Sequence, residues 1–349
     1  MQPVIERFRP LLAAHDIEIV VPIVNERLEE ADLLPLMGDI SGVICGDDRF
    51  TERVLQSAPK LKVIAKWGTG IDSIDQTACR ELGIAVRNTL NAFSEPVADT
   101  VLGYMLSFAR NLPAQDTQMK RGEWYKMPGR ALHECTLGII GVGNVGRAVA
   151  QRAAACGMRL LGCDPVMPNS HFLAATDMQM VTQNELLAQA DFVSVNCDLN
   201  PTSFHLLDAA AFAQMKPSAI VINTARGPIV HEAALVEALQ QRRIGGAALD
   251  VFEFEPLPAE SPLRSLPNVM LAAHNANSSP SAWESVHINT INNLLAELHQ
   301  PEAGTGTGAR SRAVTAARSR SRRRDRYRSR SRDRDRSRNR ERNLTLQTL

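Results

Sequence analysis

The stretch LGIIGVGNVGRAVAQRAAACGMRLLGCDP, residues 137–165, decides the fold of this chain. It opens with a short apolar run, which predicts a β-strand, and then places glycines at positions 141, 143 and 146. Apolar residues at helical spacing follow, and they predict a helix from Asn144 to about Cys156. A second apolar run ends on Asp164. This order of strand, glycine-rich turn, helix, strand and acid predicts a βαβ unit.

Each of the three glycines has a separate physical role. Gly141 permits a tight turn, Gly143 lets a pyrophosphate approach the backbone, and Gly146 lets helix and strand pack closely. The unpaired N–H groups at the start of the helix, together with the helix dipole, bind phosphates. The carboxylate of Asp164 accepts hydrogen bonds from both ribose hydroxyls and repels a 2′-phosphate, which favours NAD over NADP. The alternative is a closely packed turn that binds no ligand.

Apolar runs of strand length alternate with helical patterns from about residue 17 to residue 272. They are apolar on both faces, which is typical of parallel sheets covered by helices on both sides. Because the runs are too many for one domain, we predict an α/β fold with two doubly wound parallel-sheet domains. The predicted strands are IEIVV (17–21), GVICG (42–46), KVIAKW (62–67), IAVRN (84–88), LGIIG (137–141), RLLGCD (159–164), DFVSVN (191–196), AIVINT (219–224), AALDV (247–251) and NVMLA (268–272).

Two long helical patterns divide the chain. The first, at 94–112, has Ser94 as its predicted N-cap and lies between the two series of strands, so we expect it to connect the two domains. A second helix is expected at 281–299, after the last strand, and it returns the chain to the first domain. The predicted domains are residues 1–93 with 275–303, and residues 94–274.

The composition changes sharply after residue 303. Residues 304–349 contain 16 Arg against four acidic residues, a net charge of +12, whereas residues 1–303 sum to −11 and the whole chain to +1. The segment has no apolar face, so we expect a disordered tail rich in Arg, Ser and Asp. Nucleic acid is a candidate partner only through this tail, and an accident of reading frame or gene fusion is the alternative origin of the segment.

Composition also bounds the environment of the protein. No apolar run reaches the roughly 18 residues that a membrane helix needs, so we expect no membrane partner. The six cysteines are scattered, without a Cys-x-x-Cys pair, which argues against a zinc site and against a disulfide framework. We therefore expect no metal and a cytoplasmic location with reduced thiols.

Three further stretches at or just beyond predicted strand ends carry chemistry: NTARGPIV (223–230), DVFEFEPL (250–257) and AAHNANSS (272–279). Open α/β sheets bind ligands at such ends. The guanidinium of Arg226 can bind a substrate carboxylate, and the imidazole of His274 can take or give a hydroxyl proton. The carboxylate of Glu255 can hold the second ring nitrogen of that histidine. Together these groups suit the exchange of a hydride between a 2-hydroxy acid and NAD.

The motifs GVGNVG, CDP, INTARG, GGAALDVFEFEP and NVMLAAHNA resemble those of the D-2-hydroxyacid dehydrogenase family, most closely its D-3-phosphoglycerate dehydrogenase branch. The resemblance covers about residues 15–300. It implies a flavodoxin-like substrate domain, a Rossmann NAD-binding domain, and Arg226, Glu255 and His274 as the catalytic residues. The cofactor-binding residues are then expected to be Gly141, Gly143, Asn144, Val145, Gly146, Asp164, Thr224, Ala225, Arg226, Asp250, His274 and Asn277.

The first domain supplies a second candidate for substrate binding. In KWGTGIDSID (66–75), Gly68, Thr69 and Gly70 form a small loop whose N–H groups can hold a carboxylate. In the resembling family this loop binds the substrate from the wall opposite Arg226. The alternative is a glycine turn that leads into a helix capped by Asp72.

The resemblance leaves the substrate open. It suggests the pair 3-phosphoglycerate and 3-phosphohydroxypyruvate, with a glyoxylate or hydroxypyruvate reductase as the alternative and a non-catalytic, corepressor-like NAD sensor as another. A phosphorylated substrate needs additional cations, for which Lys66, Arg49 and Lys126 are candidates. The resemblance also suggests a homodimer whose contact includes residues 112–135.

The chain departs from this family at its start. The family's first strand is not visible, because VIERFRPLLAAH suits the helix that should follow it. That strand is central in a flavodoxin-like sheet, and its loss leaves the neighbouring strands unpaired. Either the N-terminus is truncated, or residues from elsewhere in the chain fill the gap.

Overall fold

The computed structural model describes residues 2–24, 26–299 and 311–315. Their strands are β1 (Ile17–Val20), β2 (Gly42–Cys45), β3 (Val63–Lys66), β4 (Ala85–Arg87), β5 (Thr136–Ile140), β6 (Arg159–Cys163), β7 (Gln179–Met180), β8 (Phe192–Val195), β9 (Ile220–Asn223), β10 (Gly246–Leu249), β11 (Val269–Leu271) and β12 (Ser311–Thr315). Their helices are α1 (Gln2–Ala14), α2 (Glu30–Leu33), α3 (Glu52–Gln56), α4 (Gln76–Glu81), α5 (Ser94–Ala109), α6 (Leu112–Lys120), α7 (Asn144–Ala155), α8 (Ser170–Thr176), α9 (Gln183–Gln189), α10 (Ala209–Gln214), α11 (Glu232–Gln240) and α12 (Pro280–Leu298).

The strands form two separate parallel sheets. In the described part of the chain the order is β1-β12-β2-β3-β4 in the first sheet and β11-β10-β9-β8-β5-β6-β7 in the second. In the second sheet the order reverses between β5 and β8, the point at which doubly wound sheets bind dinucleotides. The α/β class with two doubly wound parallel-sheet domains is confirmed.

The apolar runs formed strands because helices cover both faces of each sheet. All ten predicted strands are present within the described residues, with ends shifted by one or two positions. Every residue is buried in interior strands such as β3 and β9, whereas β1, β4 and β11 at the sheet edges are partly exposed. The two-residue strand β7 was not predicted, because two residues are too few to show a period.

The long helices lie close to their predicted positions. Helix α5 packs against α7 in the second domain, and α12 packs against β2, β3 and β4 of the first. The chain thus returns to its first sheet. The domain boundaries at residues 93/94 and 274/275 remain predictions. Ser94 is the first helical residue rather than the N-cap: the cap is Phe93, and the Ser94 hydroxyl donates to Asn91 Oδ1 at 2.6 Å.

The first sheet contains an unexpected interior strand, β12, between β1 and β2. β12 pairs in parallel with β1, where Ile17 faces Ser311, and with β2, where Gly42 faces Ala313. These five residues lie within the tail for which the composition predicted disorder, and there the structure differs from the expectation; the other residues of 304–349 lie outside the described residues. The strand gains backbone partners on both sides, so it needs no apolar periodicity of its own.

A pair of truncations tests the contribution of β12. Deleting residues 304–349 removes the strand, whereas deleting residues 316–349 keeps it and removes most of the charge. We expect only the first deletion to destabilise the protein, because it leaves the facing backbone groups of β1 and β2 unpaired. Losing backbone pairing on both sides of β12 lowers the free energy of unfolding by about 2 kcal/mol, which lowers the melting temperature by about 4 °C. Thermal melts followed by circular dichroism measure this, and equal melting temperatures would show that β12 does not support the sheet.

Candidate functional site

The glycine-rich turn between β5 and α7 has the geometry that its sequence predicted. Gly141 has φ +88°, and a Cβ there would lie 2.5 Å from the backbone nitrogen of Cys197. A Cβ on Gly146 would lie 2.0 Å from the carbonyl oxygen of Gly141. A Cβ on Gly143 meets no atom within 4 Å, so its exposed backbone is open to a ligand. The first and third glycines are therefore required by packing, and the second leaves space.

The carboxylate of Asp164 is held beside this turn. Its Oδ2 accepts a hydrogen bond from the N–H of Val142 at 2.7 Å, and its Oδ1 accepts one from the N–H of Val166 at 2.7 Å. Helix α7 begins at Asn144, next to this carboxylate, and its first N–H groups carry the positive end of the helix dipole. Val145 follows and is partly buried against the contact between the two sheets. Backbone N–H groups suited to a phosphate and a carboxylate suited to ribose hydroxyls thus lie at one edge of the second sheet.

The turn after β9 offers another polar atom to a cofactor. The side chain of Asn223 closes this turn, because its Nδ2 donates to the carbonyl of Arg226 at 2.8 Å and its Oδ1 accepts from the N–H of Ala225 at 3.1 Å. Between them, the buried hydroxyl of Thr224 has no hydrogen-bond partner among the described residues. A buried hydroxyl without a partner is costly, so a bound polar group is expected to satisfy it. The residues present therefore fit a dinucleotide.

His274 and Glu255 form the predicted pair. Nδ1 of His274 lies 2.9 Å from Oε2 of Glu255, and both side chains are 19% exposed. The other oxygen of Glu255 accepts from the N–H of Phe252 at 3.0 Å. Burial raises the pKa of Glu255, but the hydrogen bond and charge of His274 outweigh it and hold the pKa below its ordinary value. The carboxylate is therefore ionised, and Nε2 of His274 makes no hydrogen bond within the described residues.

The buried carboxylate of Asp250 holds the loop that carries His274. Its oxygens accept from the N–H groups of Asn275 at 2.8 Å and Ala276 at 2.9 Å, and its carbonyl accepts from the N–H of His274 at 2.7 Å. His274 takes a positive φ of +48° in this loop, which is uncommon for a non-glycine residue. Asp250, expected to line the cofactor site, thus has a structural role that its sequence position did not reveal. The partly buried Asn277 lies in the same loop.

Arg226 reaches across to the first domain. Its Nε donates to Oδ1 of Asp72 at 3.0 Å, and its Nη1 donates to the carbonyl of Ala225 at 2.9 Å. Burial lowers the pKa of Arg226, but the carboxylates of Asp72 and Asp47 outweigh it, so the pKa lies above its ordinary value. The interpretation of Asp72 as a helix cap is wrong: α4 is capped by Asp75, and Asp72 binds the guanidinium instead.

The loop Gly68–Thr69–Gly70 lies directly against this guanidinium. A Cβ on Gly70 would be 1.8 Å from Nη2 of Arg226, so a side chain there would displace the guanidinium from its present position. The loop is fixed from behind, because the Thr69 hydroxyl donates to the carbonyl of Thr89 at 3.1 Å and Asn88 Nδ2 donates to the carbonyl of Thr69 at 2.6 Å. Its three N–H groups donate no hydrogen bond within the part of the chain that the structure describes. The loop and Arg226 can therefore hold one carboxylate between them.

A cavity of about 450 Å³ is lined by residues that follow strands of both sheets. Arg226, Glu255 and His274 all line it, so the structure brings together three side chains that lie far apart in sequence. Asp47 and Asp72 line it as well, and sequence reasoning did not select them. The signal available for Asp47 was its position just after a predicted strand, where carboxylates of open sheets gather near ligands.

The sequence predicted neither a metal site nor a membrane helix, and two observations on the described residues bear on these expectations. In residues 2–24, 26–299 and 311–315, no group of His, Cys, Asp and Glu side chains is arranged to hold a metal ion. The same residues contain no helix with the length and apolar character to cross a bilayer. The Arg-rich remainder of 304–349, which was the expected route to nucleic acid, lies outside the described residues.

The open space at Gly143 gives a direct test of the cofactor site. Gly143→Ala should melt as the wild type does, because its Cβ meets no protein atom, yet it should weaken NADH binding about 10-fold or more by occupying the pyrophosphate path. Gly103→Ala is the matched control, since a Cβ there also meets nothing within 4 Å. NADH fluorescence titrations measure both variants, and unchanged affinity in Gly143→Ala would place the cofactor elsewhere.

Solved structures share the fold of this chain. The TT0316 protein of Thermus thermophilus superposes with a TM-score of 0.74 at 34% identity, covering 84% of this chain and 93% of that one. A D-lactate dehydrogenase of Aquifex aeolicus, solved with NAD and lactic acid, superposes with a TM-score of 0.78 at 24% identity, covering 85% and 93%. At that identity the second similarity shows the fold alone.

Curated relatives are 34–40% identical to this chain. A D-3-phosphoglycerate dehydrogenase of Methanocaldococcus jannaschii is 40% identical over 263 residues, which are 74% of this chain and 48% of the relative. The chain thus spans about half the length of that relative. A hydroxypyruvate reductase of Thermotoga maritima is 34% identical over 281 residues, 79% of this chain and 90% of the relative.

The family model for the NAD binding domain of D-isomer specific 2-hydroxyacid dehydrogenases matches residues 102–276. That range contains the glycine-rich turn, Asp164 and all three residues of the proposed chemistry. It therefore forms an NAD-binding domain, and the chain belongs to the D-isomer specific 2-hydroxyacid dehydrogenase family.

Proposed function

We propose that this protein is an NAD-dependent oxidoreductase that interconverts a D-2-hydroxy acid and the corresponding 2-oxo acid. The observation that carries the proposal is the hydrogen bond between His274 and Glu255 in the cavity that Arg226 also lines. A histidine oriented by an ionised carboxylate is suited to proton transfer, and a guanidinium is suited to a carboxylate. The cavity therefore offers Arg226 to the carboxylate of a 2-hydroxy acid and His274 to its hydroxyl group.

The roles of the side chains follow from their free atoms. Arg226 and the N–H groups of Gly68, Thr69 and Gly70 bind the C1 carboxylate. His274 presents Nε2 to the oxygen on C2, where it accepts the hydroxyl proton in oxidation and donates it in reduction. Glu255 keeps the ring oriented and stabilises the imidazolium that forms.

The cofactor completes the redox balance. NAD, when bound, accepts the hydrogen and the two electrons of the C2–H bond, and in the reverse direction NADH returns them. The N–H groups after Gly143 would hold the pyrophosphate of NAD, and Asp164 would hold its adenosine ribose. The hydroxyl of Thr224 would hydrogen-bond to another polar group of the cofactor. Since Asp164 is a carboxylate, we expect NAD to bind more tightly than NADP.

Two substrate classes have separate support. Arg27 and Arg49 line the cavity and favour a phosphorylated acid such as 3-phosphoglycerate. Asp47 lines it too and favours an unphosphorylated acid such as glycerate, the product of hydroxypyruvate reduction, because it repels a phosphate. Of the other candidate cations, Lys66 is paired with Asp47, and Lys126 is not among the cavity residues.

The location and assembly are proposals as well. All six cysteines are free, which suits the reducing cytoplasm. For assembly, we propose a homodimer with residues 112–135 at the contact. Helix α6 has no buried residue, and the segment exposes Leu112, Met119, Trp124 and Tyr125 at 50, 52, 84 and 58%. Aromatic and Met side chains are enriched at such interfaces.

Kinetics with NADH and a panel of 2-oxo acids test the activity. His274→Ala should lower kcat about 100-fold or more, because the proton donor is lost. Arg226→Ala should mainly raise KM, because the carboxylate partner is lost. His299→Ala is the control, since that exposed histidine follows α12, away from the cavity.

The panel also separates the enzyme from a sensor. Tight NADH binding without oxidation by any panel member would favour a non-catalytic NAD sensor. An undiminished kcat in His274→Ala would remove that residue from proton transfer.

Sedimentation measurements test the homodimer. Trp124→Glu places a charge in the proposed contact and should convert dimers to monomers at micromolar concentration. Ile23→Glu is the matched control, because Ile23 is 94% exposed and lies outside residues 112–135. A monomeric wild type, or dimers that survive the Trp124 change, would contradict the proposed contact.

A further inference from the structure

A carboxylate and a lysine form a pair at the ends of β2 and β3. Cys45 and Lys66 face each other in this parallel pair, and Lys66 is 3% exposed. Its Nζ donates to the carbonyl of Gly46 at 2.5 Å and to Oδ1 of Asp47 at 2.8 Å. A buried ammonium needs such partners, so the lysine holds Asp47 in place and its charge is already used.

Asp47 faces the cavity. Asp47 lines the same cavity as Arg226 and His274, and its side chain is 39% exposed. Burial raises the pKa of Asp47, but the charges of Lys66, Arg226 and His274 outweigh it and hold the pKa well below its ordinary value. Within the described residues, Oδ2 accepts no hydrogen bond, whereas Oδ1 is taken by Lys66. The cavity therefore contains an ionised acceptor for which the mechanism has no use.

We propose that Asp47 determines substrate specificity: it selects 2-oxo acids with a hydroxyl or ammonium group on C3 and disfavours 3-phosphorylated ones. This inference rests on the proposed function. Arg226 takes the carboxylate at C1 and His274 takes the oxygen at C2, so the group on C3 lies in the remaining part of the cavity. Oδ2 of Asp47 is available there to a hydrogen-bond donor.

The charges around the cavity support this choice over a phosphate site. A phosphate dianion needs cations that are free to bind it. Lys66 is paired with Asp47, and Arg27 donates from Nε to Glu29 at 2.6 Å. Arg49 lies on the exposed rim. A phosphate placed near Asp47 would meet an ionised carboxylate, whereas a hydroxyl would satisfy it.

Specificity ratios test the inference. kcat/KM is measured with NADH for hydroxypyruvate, for pyruvate, which has no donor on C3, and for 3-phosphohydroxypyruvate. The ratio of two substrates on one preparation does not depend on the folded fraction. We expect Asp47→Ala to lower the hydroxypyruvate-to-pyruvate ratio about 10-fold or more, the usual effect of losing a charged hydrogen bond. The relative use of 3-phosphohydroxypyruvate should rise.

Two further variants complete the design. Asp47→Ala leaves the ammonium of Lys66 without its carboxylate partner. The double variant Asp47→Ala with Lys66→Met removes both charges, and it keeps the test valid if the single variant folds poorly. Asp99→Ala is the control, because Asp99 pairs with Arg152 on the surface and is 68% exposed. We expect the double variant to change the ratios as the single variant does and the control to leave them unchanged.

The outcomes separate this inference from the proposed function. A wild type that reduces 2-oxo acids, with ratios unaltered in both Asp47 variants, overturns the role of Asp47 and leaves the dehydrogenase activity standing. A wild type that prefers 3-phosphohydroxypyruvate overturns it too. If no 2-oxo acid of the panel supports NADH oxidation by the wild type, both the role of Asp47 and the proposed dehydrogenase function are overturned.

Discussion

Backbone pairing between parallel strands is the constraint on which the rest of this structure depends. Because all strands of a parallel sheet run in one direction, their carboxyl ends meet at one edge. In the first sheet β2 and β3 deliver Asp47 and Lys66 to that edge. In the second sheet β9 leads directly to Arg226, and β11 leads to His274. The two edges face the same cavity, so distant segments can act on one small molecule.

Paired charges give this cavity its chemistry. Arg226 with Asp72, His274 with Glu255, and Lys66 with Asp47 each place a cation beside a carboxylate. Such pairing offsets the cost of burying charge. In the last two pairs one atom makes no hydrogen bond within the described residues: Nε2 of His274 and Oδ2 of Asp47. In the first pair, Nη2 of the guanidinium lies so close to Gly70 that a side chain there would displace it. Orientation and recognition thus come from the same contacts.

The first sheet shows how a fold tolerates an unusual connection. Its second position, between β1 and β2, is filled by β12, which comes after α12 in the chain rather than before α1. A strand in the middle of a parallel sheet is held mainly by backbone hydrogen bonds on both sides, so its origin in the chain matters little. This is also why composition, which predicted disorder throughout 304–349, does not reveal Ser311–Thr315.

The sequence by itself determined the α/β class, ten of the strands between residue 17 and residue 272, and the glycine-rich turn with the tight packing at Gly141 and Gly146, because these depend on local periodicity and on backbone sterics. It also identified Arg226, Glu255 and His274, since each follows a strand within a recognisable motif. Only the tertiary structure decided that Asp72 binds Arg226 and that Asp47 faces the substrate cavity. Those contacts join residues that are far apart in the chain, and no local pattern records which side chains the folded backbone brings together.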